Sequence, residues 1–150
     1  MSRLAKILAL GTVAVAVMAV TAACGTQHIG VPKSEAQLRS GAELFQQRCS
    51  GCHSLSYAAA NGSAPNIRTA QATSGPNFNQ RCERPIDRVL YAIANGGFSG
   101  AYMPQNVVVG QDAIDVAKFV ATYAGRQAPR QTGVTPCEQK AVGTLPVNSQ

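Results

Sequence analysis

The chain has 150 residues, 13 Lys+Arg against 7 Asp+Glu, five Cys, no Trp and only four Phe and four Tyr. Its basic residues are scattered, with neither a basic stripe nor interleaved aromatics, so nucleic-acid binding has no support. Large apolar side chains are scarce for a packed core, which fits a small domain that folds around an apolar cofactor and equally a merely marginal small domain.

Arg3 and Lys6 precede an uncharged, mostly apolar run from Ile7 to Ala23, the pattern of an export signal or membrane anchor over residues 1–23. Its seventeen residues exceed a usual signal core of about 7–15 and fall short of the ~20 of a comfortable span. The run ends Thr21-Ala22-Ala23-Cys24, similar to a bacterial lipoprotein signal in which the cysteine receives lipid, although Thr21 departs from the usual Leu, Val or Ile. Cys24 is thus a candidate lipidation site, the alternatives being an uncleaved anchor and ordinary cleavage. Without residues 1–23, eleven basic residues face seven acidic ones, a net charge of +4.

Residues 24–33 contain Gly, Pro and no periodic apolar pattern, and read as a tether in which His28 is a solvated residue. A domain over 34–125 follows. Ser40 and Glu43 form a Ser-x-x-Glu capping box that predicts a helix including Gly41 to Cys49, with Leu44 and Phe45 apolar before it ends.

Cys49-Ser50-Gly51-Cys52-His53 comes next. Cysteines at i and i+3 share one face of a helical turn, where both can add across the vinyl groups of one haem, and His53 can then ligate the iron. A thioredoxin-like pair would need a βαβ setting, and a zinc site a second ligand pair; Cys82 and Cys137 stand apart. The adjacent histidine favours haem c, one group, covalently attached.

Residues 54–80 are rich in Ala, Asn, Gly, Ser, Thr and Pro, with turn signals at Ala64-Pro65-Asn66 and Gly75-Pro76-Asn77-Phe78. So long an irregular stretch suits a loop wrapped around the haem's histidine side, or else a surface insertion. A second helix is predicted from Pro85 through Val89, Leu90 and Ile93 to Asn95-Gly96-Gly97. Before it, Arg81, Arg84 and Arg88 alternate with Glu83 and Asp87, reading as a solvated helix start or a docking patch for an acidic redox partner. A third helix is predicted from Asp112 through Val116, Phe119, Val120 and Tyr123, closed by Gly125, with one broad buried face.

Residues 126–150 are rich in Pro, Gln, Thr and Gly and read as a loose or disordered tail. In an exported chain Cys137 can pair with Cys82, the evident partner, provided their Cα atoms come within ~4.4–6.8 Å.

The second iron ligand is a question of candidates. Met1 and Met18 belong to the leader, and Met103 lies fifty residues beyond His53 in a Gly-rich loop ended by Pro104. A thioether opposite an imidazole favours ferrous iron and raises the reduction potential.

Cys49–His53, Gly75-Pro76-Asn77-Phe78 and the Met103-Pro104 loop before a final helix resemble a class I c-type cytochrome, over about residues 34–125. The resemblance implies a small all-α cytochrome c fold, three or more helices around one haem with a long haem-wrapping loop. It implies that Pro76 lines the haem pocket with its carbonyl on the imidazole, although Pro65 stands at the more usual spacing. It also implies that the first helix crosses the last, Gly41 and Phe45 meeting the face of Val120 and Tyr123. The function implied is one-electron transfer rather than catalysis, on the outer face of the cytoplasmic membrane. Donor and acceptor would be redox proteins such as a quinol-oxidising complex, a terminal oxidase or a dehydrogenase. The alternative is a haem peroxidase, or the haem subunit of a dehydrogenase, with an openable sixth position.

Overall fold

A computed structural model describes residues 28–64, 74–98, 102–128, 133 and 137–146. Among these residues there are three α-helices, α1 (Ala36–Arg48), α2 (Ile86–Asn95) and α3 (Gly110–Tyr123), and one two-stranded sheet. Strands β1 (Ser54–Leu55) and β2 (Ala60–Asn61) pair antiparallel, Ser54 opposite Asn61 and Leu55 opposite Ala60, around a 3-10 turn at Ser56–Ala58.

α3 is the central element. Ala113, Asp115, Val116, Ala117, Phe119, Val120, Ala121 and Tyr123 are buried, while Ile114, Lys118 and Thr122, four residues apart, form its half-exposed stripe. α1 crosses it at Gly41, where a Cβ would lie 2.1 Å from the Asp115 carbonyl oxygen and 2.8 Å from Phe119 Cβ. Only glycine permits that approach. The crossing centres on Asp115 and Phe119, one turn before the Val120 and Tyr123 face, and Phe45 meets Phe119 edge-on at 5.8 Å. Burying Asp115 requires partners; Gln37 and Gln111 both donate to its carboxylate, at 2.8 and 2.7 Å.

The capping box is corrected. α1 begins at Ala36, one turn earlier than Ser40 implies, because the chain turns at Pro32–Glu35 and Arg39 donates to the Val31 carbonyl. Ser40 lies inside the helix, and Glu43 instead pairs with Arg39 at 3.0 Å, an i, i+4 bridge. The C-terminal part of the predicted tether is docked: Val31 is buried and the Gly30 N–H donates to the Tyr57 carbonyl. His28 is exposed.

α2 runs from Ile86, with Pro85 as its N-cap, to a left-handed Gly96 at φ 72°, as Gly at C′ prescribes. α3 starts at Gly110, so Asp112 falls in its first turn, where a carboxylate favours the positive end of the helix dipole.

The described part of the tail is not loose. Cys137–Gln139 forms a 3-10 turn, the Ile86 N–H donates to the Val142 carbonyl at 2.8 Å, and Val142 and Leu145 pack on the core. Arg84 holds it beside the Cys82–Cys137 disulfide, donating to the Ala121 and Thr122 carbonyls at the end of α3 and to the Cys137 and Lys140 carbonyls of the tail. Arg84 is therefore a clamp rather than a member of a solvated patch. No helix among the described residues is long and apolar enough to cross a membrane. The leader, Cys24 and Pro65 lie outside the described residues.

Candidate functional site

α1 stops at Arg48, and the Cys49–His53 segment is a turn built on one carbonyl: the N–H groups of Cys52 and His53 both donate to Cys49 O, at 3.2 and 3.0 Å. Two neighbouring strands of chain clamp this turn. Gly62 N–H donates to His53 O and Gly75 N–H to Cys52 O, at 3.1 and 2.8 Å. Both positions need glycine. A Cβ at Gly62 would stand 2.1 Å from Ser50 O, and one at Gly75 would stand 2.3 Å from His53 Cε1. The hairpin that carries Gly62 is itself locked by reciprocal bonds, Ser54 N–H to Ser63 Oγ and Ser63 N–H to Ser54 Oγ.

His53 is held on three sides. Its Nδ1 lies 3.1 Å from the Pro76 carbonyl oxygen. A carbonyl only accepts, so the neutral ring carries its proton on Nδ1 and presents a lone pair at Nε2. The Phe78 ring stacks on the imidazole, centroids 4.7 Å apart and planes 8° from parallel, and Phe45 approaches at 6.2 Å. Burial lowers the His53 pKa below 6.5, and Arg81 acts in the same direction; the Pro76 hydrogen bond and Glu83 oppose them. Burial, with Cys52 adding to it, pushes the Cys49 thiol up to about 12. Cys49 is half-buried and Cys52 exposed, and neither is in a disulfide.

This donor set fits a haem. Two thiols three residues apart stand beside an imidazole whose second nitrogen is committed to a backbone oxygen, an arrangement that fixes a metal-ligating tautomer. Among the described residues, no group of three or more His, Cys, Asp or Glu could hold a metal ion instead.

Met103 is half-buried and borders the same apolar cluster as Cys49 and Phe78. It is positioned from the end of α2: a Cβ at Gly96 would lie 2.8 Å from Met103 O, and Asn106 N–H donates to Ile93 O at 2.8 Å. Cys82 and Cys137 form a disulfide with Cα atoms 5.4 Å apart, seated against Gly125, which adopts φ 76°.

The family described as cytochrome C oxidase, cbb3-type, subunit III matches residues 36–120, more than half of the chain. The chain belongs to this family. It is a c-type cytochrome that carries covalently bound haem c, and its domain is an electron-transfer module. No curated protein and no solved structure matches it. The matched segment of this cbb3-type cytochrome runs from the first residue of α1 into α3 and contains Cys49–His53, Pro76 and Met103.

Two contributors are not evident from sequence reading. Gly62 follows Asn61, an Asn-Gly turn signal, yet its close approach to the cysteine turn carries no local mark. Glu83 looks like one charge in a mixed run but is 5 % exposed and bridges two arginines.

Proposed function

We propose that this chain is a membrane-anchored, single-haem electron carrier, with haem attached through Cys49 and Cys52 and iron held between His53 and Met103. It works on the outer face of the cytoplasmic membrane, tethered through residues 1–23 or a lipidated Cys24. It takes single electrons from a quinol-oxidising complex or dehydrogenase and passes them to a terminal oxidase. The observation that carries this reading is the His53–Pro76 contact, which leaves one imidazole nitrogen for a metal.

The haem supplies the one-electron couple of its iron. Pro76 keeps the His53 tautomer, and Phe78 keeps the plane of its ring, so the imidazole is oriented before and after each transfer. Gly62 and Gly75 hold the two thiols and the imidazole in one rigid turn. Met103 would supply the iron with a soft sulfur, a ligand that favours the reduced state.

Visible and near-infrared spectra in both redox states, paired with an intact mass, test this. The expected result is one haem per chain, a thioether charge-transfer band in the ferric state, and loss of that band in Met103→Ala. A ferric spectrum unchanged in Met103→Ala, or rapid carbon monoxide binding by the native ferrous form, would replace the sealed carrier with a peroxidase or dehydrogenase haem subunit.

A further inference from the structure

We infer that Arg81, Glu83 and Arg88 form a charge triad that sets the haem's reduction potential, Glu83 being its dominant, potential-lowering member. Both Glu83 oxygens are engaged, Oε1 with Arg81 Nε at 2.6 Å and Oε2 with Arg88 Nε at 2.8 Å. The burial is lopsided: the Glu83 side chain is 7 % exposed, against 49 % for Arg81 and 39 % for Arg88. Water and salt therefore screen the two cations, whereas the anion acts through a poorly polarisable interior.

The triad touches the turn that packs on His53 and the Phe98 ring, five residues before Met103. Arg81 N–H donates to Asn77 O at 3.0 Å, closing the turn whose Phe78 ring lies flat on the His53 imidazole. Arg88, on α2, places its guanidinium 4.1 Å from the centroid of Phe98, in the segment that leads to Met103.

A buried ion pair is rarely the most stable filling for its site, so stability alone does not account for this one. Oxidised haem carries one more positive charge than reduced haem. A buried carboxylate nearby favours the oxidised form and lowers the potential, and a nearby guanidinium does the reverse. The step concerned is a single electron entering or leaving the iron, exchanged with the redox partner, with no proton or bond change required.

This inference rests on the reading of His53 as an iron ligand. Spectroelectrochemical midpoint potentials of the haem-loaded full chain test it, using Glu83→Gln, Arg81→Gln and Arg88→Gln alongside wild type. Glu83→Gln should shift the potential upward, and the two arginine variants should shift it downward by less. Added salt should shrink the arginine shifts more than the glutamate shift. The visible spectrum should not change in any of them. An unmoved potential in Glu83→Gln with a lowered melting temperature would overturn the inference and leave the triad as a brace. If Glu83→Gln fails to hold haem, Arg81→Gln decides: a downward shift supports the inference and no shift overturns it. A failure of His53 ligation would show in the wild-type spectrum, before any variant is compared.

Discussion

The two sides of the candidate haem site are built differently. On the histidine side, the cysteine turn is clamped by Gly62 and Gly75, and His53 is fixed by Pro76 and Phe78, so three separate parts of the chain meet there. On the methionine side, Met103 is positioned mainly from the end of α2, and its neighbour Tyr102 is 81 % exposed. A dense network of short backbone contacts makes the first side stiff without help from the cofactor. The second side has few such contacts among the described residues, so under the proposed ligation its final geometry would depend on a bond from sulfur to iron.

Four substitutions can break or sharpen that contrast. Phe45→Ala removes the ring that packs on Phe119, Phe78 and His53. It should cost about 3–5 kcal/mol in denaturant unfolding and lower haem incorporation. Gly62→Ala drives a methyl group into the Ser50 carbonyl, where backbone must move. A loss of about 3 kcal/mol and a disordered histidine signal in the spectrum are expected. If Gly62→Ala were tolerated with a native spectrum, the histidine side would be no stiffer than the other. Met103→Ala should lower the unfolding free energy by only about 1–2 kcal/mol, because the side chain is half-buried, yet change the ligand spectrum completely. That separation of stability from spectroscopy is the sharpest test of the two-sided picture.

The smallest effect lies at the far end of the histidine side. Tyr123 packs on Tyr57 at 4.4 Å and donates to Glu35 at 2.9 Å. Burial, then the bond to Glu35, pushes its phenol from 10.0 to about 12. The folded state thus favours the neutral phenol, and its contribution is complete below about pH 10 and lost as pH rises towards 12. Tyr123→Phe should cost about 1 kcal/mol at neutral pH. The melting-temperature gap between it and wild type should narrow between pH 10 and 12.

Local chemistry wrote the helices plainly. α2 is bounded by Pro85 and Gly96, each a residue whose backbone preference marks a helix end, and its apolar positions recur at helical spacing. The start of α1 was harder, because Ser40-x-x-Glu43 imitates a cap while the turn at Pro32–Glu35 begins the helix earlier. The described part of the tail differs from its composition for another reason. Its composition resembles a loose segment, and nothing local announces that Arg84, more than fifty residues away, holds its carbonyls.

What the amino-acid sequence determined by itself was chemistry set by spacing: two thiols and an imidazole within five residues, one methionine in a Pro-ended loop, and helices with marked ends. These depend on neighbours along the chain, so order and residue type suffice to read them. The resemblance already put the Pro76 carbonyl on His53 and Gly41 at the helix crossing; only the tertiary structure decided why positions 62 and 75 carry glycine, and that Glu83 is a buried anion between two arginines. Each of those depends on segments distant in sequence approaching within a few ångströms, and close packing of the folded chain is what specifies such approaches.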